Sequence, residues 1–232
     1  MSQKNYKVSI ILPNYNSSDY ISSTISSVQK QTYRNWELII VDDGSNKKTK
    51  KILQKYKKIK KIKIFWLKKN KGAAYCRNLA VKKSKADFLA FIDSDDLWKK
   101  NKLKIQINYM IKNNRDFTYS YYQSLYNGKI KKIKTPVKFD FNSFTKDTSI
   151  ATSTMILKHK IAKKIKFTST KICEDYYFKC VALKKIGSAF CIKNYLTTYR
   201  IRKNSLQSNK FRNFYWIWKI NKNYNKLNFL DN

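Results

Sequence analysis

Four apolar runs, each followed by a segment with helical spacing, constrain the fold of this chain more than any other feature. The runs VSIIL (8–12), WELIIV (36–41), KIFWL (63–67) and DFLAFI (87–92) are nearly continuous in apolar residues, as expected for strands of a parallel sheet covered on both faces. The segments between them place apolar residues on one helical face, for example Ile21, Ile25 and Val28. This alternation predicts an α/β fold with a Rossmann-like, mostly parallel sheet flanked by helices.

The second half of the chain has a mixed α+β pattern. The stretch 117–137 predicts two strands around a hairpin turn at Asn127-Gly128, and a helix is expected from Glu174 to about Lys185, ended by Gly187. Because no internal repeat or linker is visible, we predict one continuous domain over 1–208. It comprises two halves, 1–98 and 99–208, and a basic aromatic helix over 209–232 follows it.

The charge of the chain is strongly positive, with 51 Lys+Arg against 14 Asp+Glu and a formal net charge of +37. Such an excess suits nucleic acid, an anionic membrane surface or a phosphorylated substrate. Lysine accompanied by abundant Asn, Ile and Tyr is also what an AT-rich genome encodes at permissive surface positions. The charge alone is therefore weak evidence of function.

Cysteine and histidine exclude several kinds of site. The four cysteines form no CxxC pair, and His159 is the single histidine, so a zinc site or a Ser-His-Asp triad is nearly excluded. We expect buried free thiols in a reducing cytosol. No signal-peptide pattern opens the chain, and no apolar run approaches the ~20 residues of a membrane-spanning helix. We expect a cytoplasmic protein that is soluble or peripheral on the inner face of the cell membrane.

Carboxylates collect where two of the predicted strands end. Asp42 and Asp43 follow the second strand, and Asp93, Asp95 and Asp96 follow the fourth. Ligands of open α/β sheets bind beyond the carboxyl ends of the strands, so these groups should meet in one cleft. Closely spaced carboxylates without His or Cys suit Mg²⁺ or Mn²⁺. The alternative is that Asp43 and Asp96 are turn and helix-cap residues.

A phosphate-binding role is suggested by the loop KKNKGAAYCRN (68–78). It brings Lys71 and Arg77 near the same sheet edge, and the chain has no GxxxxGK[ST] loop that would cradle phosphates. A diphosphate bridged to Asp95 through a metal ion is the natural remaining arrangement. Arg77 could reach a phosphate or help to hold the carboxylates, although an exposed helical arginine is the alternative.

Taken together, VSIILPNYN, WELIIVDDGS, NKGAAYCRNLA, FIDSDD and ICEDYYF resemble the inverting, nucleotide-sugar-dependent glycosyltransferases with the GT-A fold, of the bacterial glycosyl transferase family 2 type. The resemblance covers roughly residues 6 to 206. It implies transfer of a sugar from a nucleoside-diphosphate donor, UDP-linked favoured, to an acceptor hydroxyl with inversion, in the synthesis of surface polysaccharide, lipopolysaccharide or glycolipid. It also makes 1–98 the nucleotide-binding half and 99–208 the acceptor half.

The resemblance implies roles on the donor side for particular positions. The ring of Tyr15 would lie against the nucleobase, and Asp43 would accept a hydrogen bond from it. Asp93 and Asp95 look like the family's DXD pair, with Asp93 near the ribose or sugar and Asp95 on Mg²⁺ or Mn²⁺. Asp96 has no such counterpart, and from its position alone we expect it to cap the following helix. The complete set implied for the nucleotide sugar is Pro13, Tyr15, Asn16, Asp42, Asp43, Lys71, Arg77, Asp93, Ser94 and Asp95.

On the acceptor side, Asp175 corresponds to the family's general base, with Glu174 beside it on the diphosphate or acceptor side. Acidic residues at a helix N-terminus are also favoured by the helix dipole without any catalysis. The chain departs from the family at Arg202, where a histidine near the diphosphate or metal is common. The metal would then be held more loosely, with Arg200 and Arg202 supplying positive charge to the diphosphate.

Partners and alternatives follow from the remaining features. Phe211, Phe214, Tyr215 and Trp218 can share one helical face, which would either pack on the domain or contact a membrane carrying a lipid-linked or glycan acceptor.

A nucleic-acid-binding protein would not need carboxylates at strand ends, and they would repel a phosphate backbone, so no nucleic acid is expected. A metal-dependent nucleotidyltransferase usually needs a Gly-rich phosphate loop. The chain has only four glycines, so this alternative is disfavoured.

Overall fold

A single mixed sheet forms the centre of the molecule. The computed structural model describes residues 5–168, 170, 173–202 and 210–227. Its strands are β1 (Val8–Asn14), β2 (Trp36–Asp42), β3 (Ile62–Trp66), β4 (Phe88–Phe91), β5 (Leu97–Trp98), β6 (Phe117–Tyr126), β7 (Lys129–Ile133), β8 (Lys138–Phe139), β9 (Ile156–Lys158) and β10 (Ala189–Arg200). Within the described residues these ten strands have the order β3-β2-β1-β4-β9-β6-β10-β5, with β7 on β6 and β8 on β10.

Helices cover both faces of the sheet. They are α1 (Ile21–Gln29), α2 (Lys47–Gln54), α3 (Ala73–Lys83), α4 (Lys102–Lys112), α5 (Phe141–Lys146), α6 (His159–Ala162), α7 (Glu174–Ile186) and α8 (Lys210–Ile220). A 3₁₀ turn (Thr152–Thr154) precedes β9, and a π-helical turn (Asn221–Asn225) follows α8. The predicted inward residues of α1, Ile21, Ile25 and Val28, are fully buried.

The first half of the sheet is parallel, as the sequence predicts. β1 pairs in parallel with β2 and β4, and β2 pairs with β3. Alternate side chains of β1 enter two separate apolar clusters, with Ile11 on one face and Ile10 and Leu12 on the other, because side chains alternate across a strand. Asn14 and Asp42 are register partners at the last position of their strands. The polar residues that follow both strands therefore emerge at the same sheet edge.

The second half extends the same sheet with mixed pairing. β6 and β10 are parallel, and β9 lies antiparallel between β4 and β6. The predicted hairpin joins β6 to β7 through Asn127 and Gly128, whose φ values of 46° and 75° are those of a type I′ turn. Strands from 1–98 and from 99–208 thus pair directly. The predicted boundary at 208/209 lies outside the described residues, and the division into domains stays a prediction.

Two further expectations concern the thiols and the membrane. All four cysteines are free, and Cys76, Cys180 and Cys191 are buried. Among the residues that the structure describes, no helix has both the length and the apolar character to cross a membrane.

Candidate active site

A cleft of about 620 Å³ lies where β1 and β4 end, beside the start of α3 and the end of β10. Its lining brings together most of the residues predicted for the nucleotide sugar and the diphosphate: Pro13, Tyr15, Asn16, Asp43, Arg77, Asp93, Ser94, Asp95, Glu174, Arg200 and Arg202. Asp42 and Lys71, predicted for the same site, do not line it. We refer to this space as the donor cleft.

Asp42 lies beneath the donor cleft rather than in it. Its side chain is fully buried. One carboxylate oxygen accepts a hydrogen bond from the Asn14 side-chain amide (2.7 Å), and the other accepts from the Ser45 backbone N–H (3.2 Å). Because both oxygens are used within the protein, Asp42 fixes the turn after β2 and joins it to the end of β1.

Asp43 holds the loop between β3 and α3 against the cleft. Its two carboxylate oxygens accept hydrogen bonds from the backbone N–H groups of Lys71 (2.7 Å) and Gly72 (2.8 Å). Gly44, with φ of +72°, lets this loop approach, since an added Cβ would lie 2.9 Å from the carbonyl carbon of Lys69. The ammonium of Lys71 is 4.5 Å from the centre of the Tyr75 ring. Lys71 thus supports Asp43 with its main chain, and its side chain points to Tyr75.

Tyr15 and Asn16 form the wall at the end of β1. Tyr15 is 49% exposed and lines the cleft, so its ring is accessible to a ligand there. Asn16 has a positive φ of 46°; its N–H donates to the Ser45 hydroxyl (3.0 Å), and its side-chain oxygen accepts from the Asn46 N–H (2.8 Å). The loop that presents Tyr15 is therefore tied to the turn after β2.

Arg77 is an internal cation that joins three elements. Its side chain is 6% exposed, and its guanidinium contacts Asp93 Oδ1 (2.7 Å) and Glu174 Oε1 (2.6 Å). Arg77 belongs to α3, Asp93 follows β4, and Glu174 begins α7. The alternative of an exposed helical arginine is wrong, because Arg77 holds the two carboxylates together.

Two arginines at the end of β10 have different surroundings. The Nε of Arg202 lies 2.6 Å from Asp95 Oδ2. Arg200 donates to the Asp95 carbonyl and, at 3.0 Å each, to the hydroxyls of Ser23 and Thr24. Arg200 therefore ties β10 to α1. Burial and the neighbouring Asp93 raise the pKa of Asp95 above its ordinary value, although Arg202 opposes this shift.

Asp96 is not a helix cap, and that prediction is wrong. α4 begins at Lys102 with Asn101 before it, because the short strand β5 intervenes. Asp96 is fully buried and accepts hydrogen bonds from the Ser153 hydroxyl (2.5 Å) and the Arg200 backbone N–H (3.0 Å). Burial, together with the nearby carboxylates of the same loop, raises its pKa well above the ordinary value.

A second cavity, of about 230 Å³, adjoins the donor cleft and contains Asp175 in its lining. Asp93 and Tyr199 line both spaces. The Asp175 carboxylate accepts a hydrogen bond from the Thr152 hydroxyl (2.7 Å) and pairs with the Lys179 ammonium (2.8 Å), both through Oδ2. Burial alone would raise the pKa of Asp175, but Lys179 and Arg77 lower it below its ordinary value. We refer to this space as the acceptor cavity, after the role that the sequence predicts for Asp175.

The comparison with known protein families agrees with this arrangement. A family model described as "Glycosyl transferase family 2" matches residues 9–175, a range that contains Asp93, Asp95 and Asp175. The chain belongs to glycosyl transferase family 2. The resemblance seen in the sequence motifs is thereby confirmed, and the protein is a glycosyltransferase.

Two curated relatives cover most of this glycosyltransferase. The "UDP-Glc:alpha-D-GlcNAc-diphosphoundecaprenol beta-1,3-glucosyltransferase WfgD" of Escherichia coli is 39% identical over 218 residues, which are 93% of this chain and 85% of the relative. The "putative teichuronic acid biosynthesis glycosyltransferase TuaG" of Bacillus subtilis (strain 168) is 34% identical over 227 residues, or 96% of this chain and 90% of the relative.

Solved structures confirm the GT-A fold. S. aureus TarS 1-349 in complex with UDP-GlcNAc superposes with a TM-score of 0.78 at 24% identity, covering 92% of this chain and 65% of that one. The mannosyltransferase PcManGT from Pyrobaculum calidifontis, in complex with GDP-Man and Mn²⁺, gives a TM-score of 0.68 at 14% identity, covering 86% and 58%. This chain therefore spans less than two thirds of these structural neighbours.

The donor cleft of this glycosyltransferase offers oxygen ligands of the kind that Mg²⁺ and Mn²⁺ prefer. No group of three or more His, Cys, Asp or Glu side chains that could hold a metal occurs in the part of the chain that the structure describes. These ions need few protein oxygens, because diphosphate and water complete their coordination. Asp95 supplies one such oxygen donor in the cleft lining, and its Oδ2 is paired with Arg202.

Several side chains of the site were not predicted from the sequence. They are Thr152 and Lys179 at Asp175, Ser153 at Asp96, and Tyr199 between the two spaces. Lys179 was detectable in principle, since it lies four residues after Asp175 on one helix. The others come from a 3₁₀ turn and from a strand end, and no sequence spacing relates them to the carboxylates.

Proposed function

We propose that this glycosyltransferase transfers a sugar, with inversion, from a nucleoside-diphosphate sugar to a hydroxyl of a lipid-linked or glycan acceptor in bacterial surface polysaccharide, lipopolysaccharide or glycolipid synthesis. UDP-linked donors are favoured, because the name of the relative WfgD specifies UDP-Glc and a diphosphoundecaprenol-linked acceptor. The observation that carries the proposal is that the donor cleft and the acceptor cavity adjoin at Asp93 and Tyr199.

The donor is bound in the cleft by base stacking and by charge. The ring of Tyr15 supports the nucleobase. Each carboxylate oxygen of Asp43 can accept a second hydrogen bond beside those from Lys71 and Gly72, and one of them accepts from the base. Arg202 contributes positive charge beside the diphosphate, and Asp95 would hold Mg²⁺ or Mn²⁺. When bound, the cation neutralises the charge that develops on the departing diphosphate.

Transfer requires a base on the acceptor side, and Asp175 supplies it. The acceptor oxygen forms a bond to the anomeric carbon, while the bond from that carbon to the diphosphate oxygen breaks and its electron pair leaves with the nucleoside diphosphate. The hydroxyl proton passes to Asp175. Since the pKa of Asp175 is lowered by Lys179 and Arg77, this carboxylate is ionised at neutral pH. Lys179 and Thr152 engage Oδ2, which leaves Oδ1 for the acceptor hydroxyl.

We place the reaction at the cytoplasmic face of the membrane. The four free thiols suit a reducing compartment, and a lipid-linked acceptor would present its sugar at the membrane surface.

The decisive experiment compares Asp175→Asn with the matched control Asp140→Asn. Both aspartates lie at helix N-termini, and asparagine at 140 can still accept the capping hydrogen bond from Ser143. With UDP-sugars, Mn²⁺ and a polyprenyl-diphosphate-linked GlcNAc acceptor, we expect Asp175→Asn to keep UDP binding by calorimetry. Its transfer rate should fall by about 10²- to 10⁴-fold, while Asp140→Asn stays active.

Three results would contradict the proposal. Unchanged turnover of Asp175→Asn would show that Asp175 is not the general base. A product that keeps the anomeric configuration of the donor, as measured by NMR, would exclude an inverting mechanism. Failure to bind UDP or GDP with or without a divalent cation would remove the nucleotide-sugar donor itself.

A further inference from the structure

Helix α8 has two faces with opposite environments. On the inward face, Ile220 is fully buried and Ile217 packs against the main apolar cluster. Asn213 and Ile217 also line the acceptor cavity. This face therefore forms part of the wall of the cavity that contains Asp175.

The outward face of α8 exposes large aromatic side chains. Phe211 is 91% exposed, Phe214 73% and Tyr215 51%. With Trp218 they occupy positions i, i+3, i+4 and i+7, so they project from one side of the helix. A contiguous exposed apolar patch of this kind marks an interaction surface rather than ordinary surface composition.

Basic side chains interleave with these rings. Residues 210–227 include five lysines and arginines and no aspartate or glutamate. The ammonium of Lys219 is 5.8 Å from the centre of the Tyr215 ring, and that of Lys222 is 5.3 Å from the centre of the Trp218 ring. Aromatic rings flanked by cations are typical of helices that lie in the interface of an anionic membrane.

The alternative occupants of this face are disfavoured by its length and charge. α8 has 11 residues, about half of what a membrane-spanning helix needs, so it would lie on a membrane rather than cross it. A second copy of the chain would bring two acid-free basic helices together, and such like-charge pairing is unfavourable.

We infer that the outward face of α8, formed by Phe211, Phe214, Tyr215 and Trp218, docks the enzyme on an anionic lipid surface, with the acceptor cavity directly behind the same helix. The partner is the headgroup layer of a leaflet rich in anionic lipid. The link to catalysis rests on the proposed function, because it assumes an acceptor carried by a lipid. When the outward face of α8 lies on the membrane, the acceptor cavity on its inward side is close to the lipid surface that carries the acceptor.

The test is vesicle co-sedimentation of the full chain. Vesicles contain phosphatidylglycerol and phosphatidylcholine in equal amounts, or phosphatidylcholine alone. We expect binding to the anionic vesicles that weakens with added salt. The double variant Phe211→Ser/Phe214→Ser should bind on the order of 100-fold more weakly, at about tenfold for each ring withdrawn from the interface.

A matched control removes an exposed apolar side chain elsewhere. Ile130 on the β6–β7 hairpin is 61% exposed, and Ile130→Ser should leave vesicle binding unchanged. Circular dichroism should show the same melting temperature for wild type and for Phe211→Ser/Phe214→Ser, because both rings lie outside the core.

Each result supports or overturns the inference. Equal sedimentation of wild type and the double variant overturns it, as does light scattering that shows a wild-type dimer lost in the variant. Transfer to a short-chain, water-soluble acceptor should persist in the variant, while transfer to an acceptor embedded in vesicles falls. Vesicle binding without any sugar transfer would contradict the proposed function alone, and transfer without vesicle binding would contradict the docking surface alone.

Discussion

Replacement of Arg77 by methionine should destabilise the fold by about 3 kcal/mol. Removing one partner of a buried ion pair lowers the free energy of unfolding by about 3–5 kcal/mol. The lower figure applies because the side chains of Asp93 and Glu174 keep 28% and 18% exposure and are partly solvated. Methionine is long enough to fill much of the space, so the cavity contribution is small. For a chain of this size the loss corresponds to roughly 6–12 °C in melting temperature.

Urea denaturation at neutral pH, followed by tryptophan fluorescence, measures this loss. Arg77→Lys should fall between wild type and Arg77→Met, because an ammonium keeps the charge but lacks the fork that bridges two carboxylates. Lys48→Met provides the matched control. It breaks the Lys48–Asp19 pair (3.1 Å), in which both side chains are 70% exposed, and it should not change stability measurably.

Two measurements test whether charge causes this loss of stability. A loss below about 1 kcal/mol in Arg77→Met, the level of a surface pair, would refute the internal-cation assignment. The triple variant Arg77→Met/Asp93→Asn/Glu174→Gln should recover part of the stability, since the unpaired charges are gone. Without any recovery, the loss would come from packing rather than charge.

Three further predictions concern the carboxylates and the turn after β2. Lys179→Met should raise the pKa of Asp175, because the lowering effect of the Lys179 ammonium is lost. Since the base must be ionised, the acid limb of the pH–rate profile should move to higher pH; an unmoved limb would show that Lys179 does not act on the base. Asp95→Asn should weaken Mn²⁺-dependent UDP binding at least tenfold in calorimetry, whereas equal affinity with and without Mn²⁺ in wild type would argue against a metal at Asp95. Gly44→Ala should cost about 1–3 kcal/mol in urea denaturation, and Gly128→Ala, which shares a positive φ but has nothing within 4 Å of its added Cβ, should cost less; equal losses would contradict the close approach at Gly44.

The sequence predicted the sheet and the convergence of the carboxylates for the same reason. Apolar runs alternating with helices require parallel strands, and parallel strands bring their carboxyl ends to one edge. Asp43, Asp93 and Asp95 therefore meet in the donor cleft although up to 52 positions separate them along the chain. This inference needs strand order and direction and no side-chain detail.

Side-chain direction was beyond the sequence. Asp42 and Asp43 are adjacent and chemically identical, yet Asp42 ends β2 fully buried and Asp43 lines the cleft. The side-chain direction of Lys102, in the lysine-rich helix α4, was equally unpredictable from the sequence. It is fully buried, donates to the Thr154 carbonyl (3.1 Å) and lies 4.8 Å from the Trp98 ring centre, and burial lowers its pKa well below the ordinary value. Composition predicts a solvated lysine there.

The 3₁₀ turn at 152–154 has a consequence for how acceptor preference can evolve. Ser153 accepts a hydrogen bond from the Asp93 N–H and donates to Asp96, while its neighbour Thr152 contacts Asp175. A substitution that reshapes this turn would disturb donor and acceptor chemistry at once, and few such changes would survive selection. New linkage specificities should instead arise at lining residues outside this turn, such as 148–150, which divergent relatives can vary while Asp93, Asp96 and Asp175 stay in place.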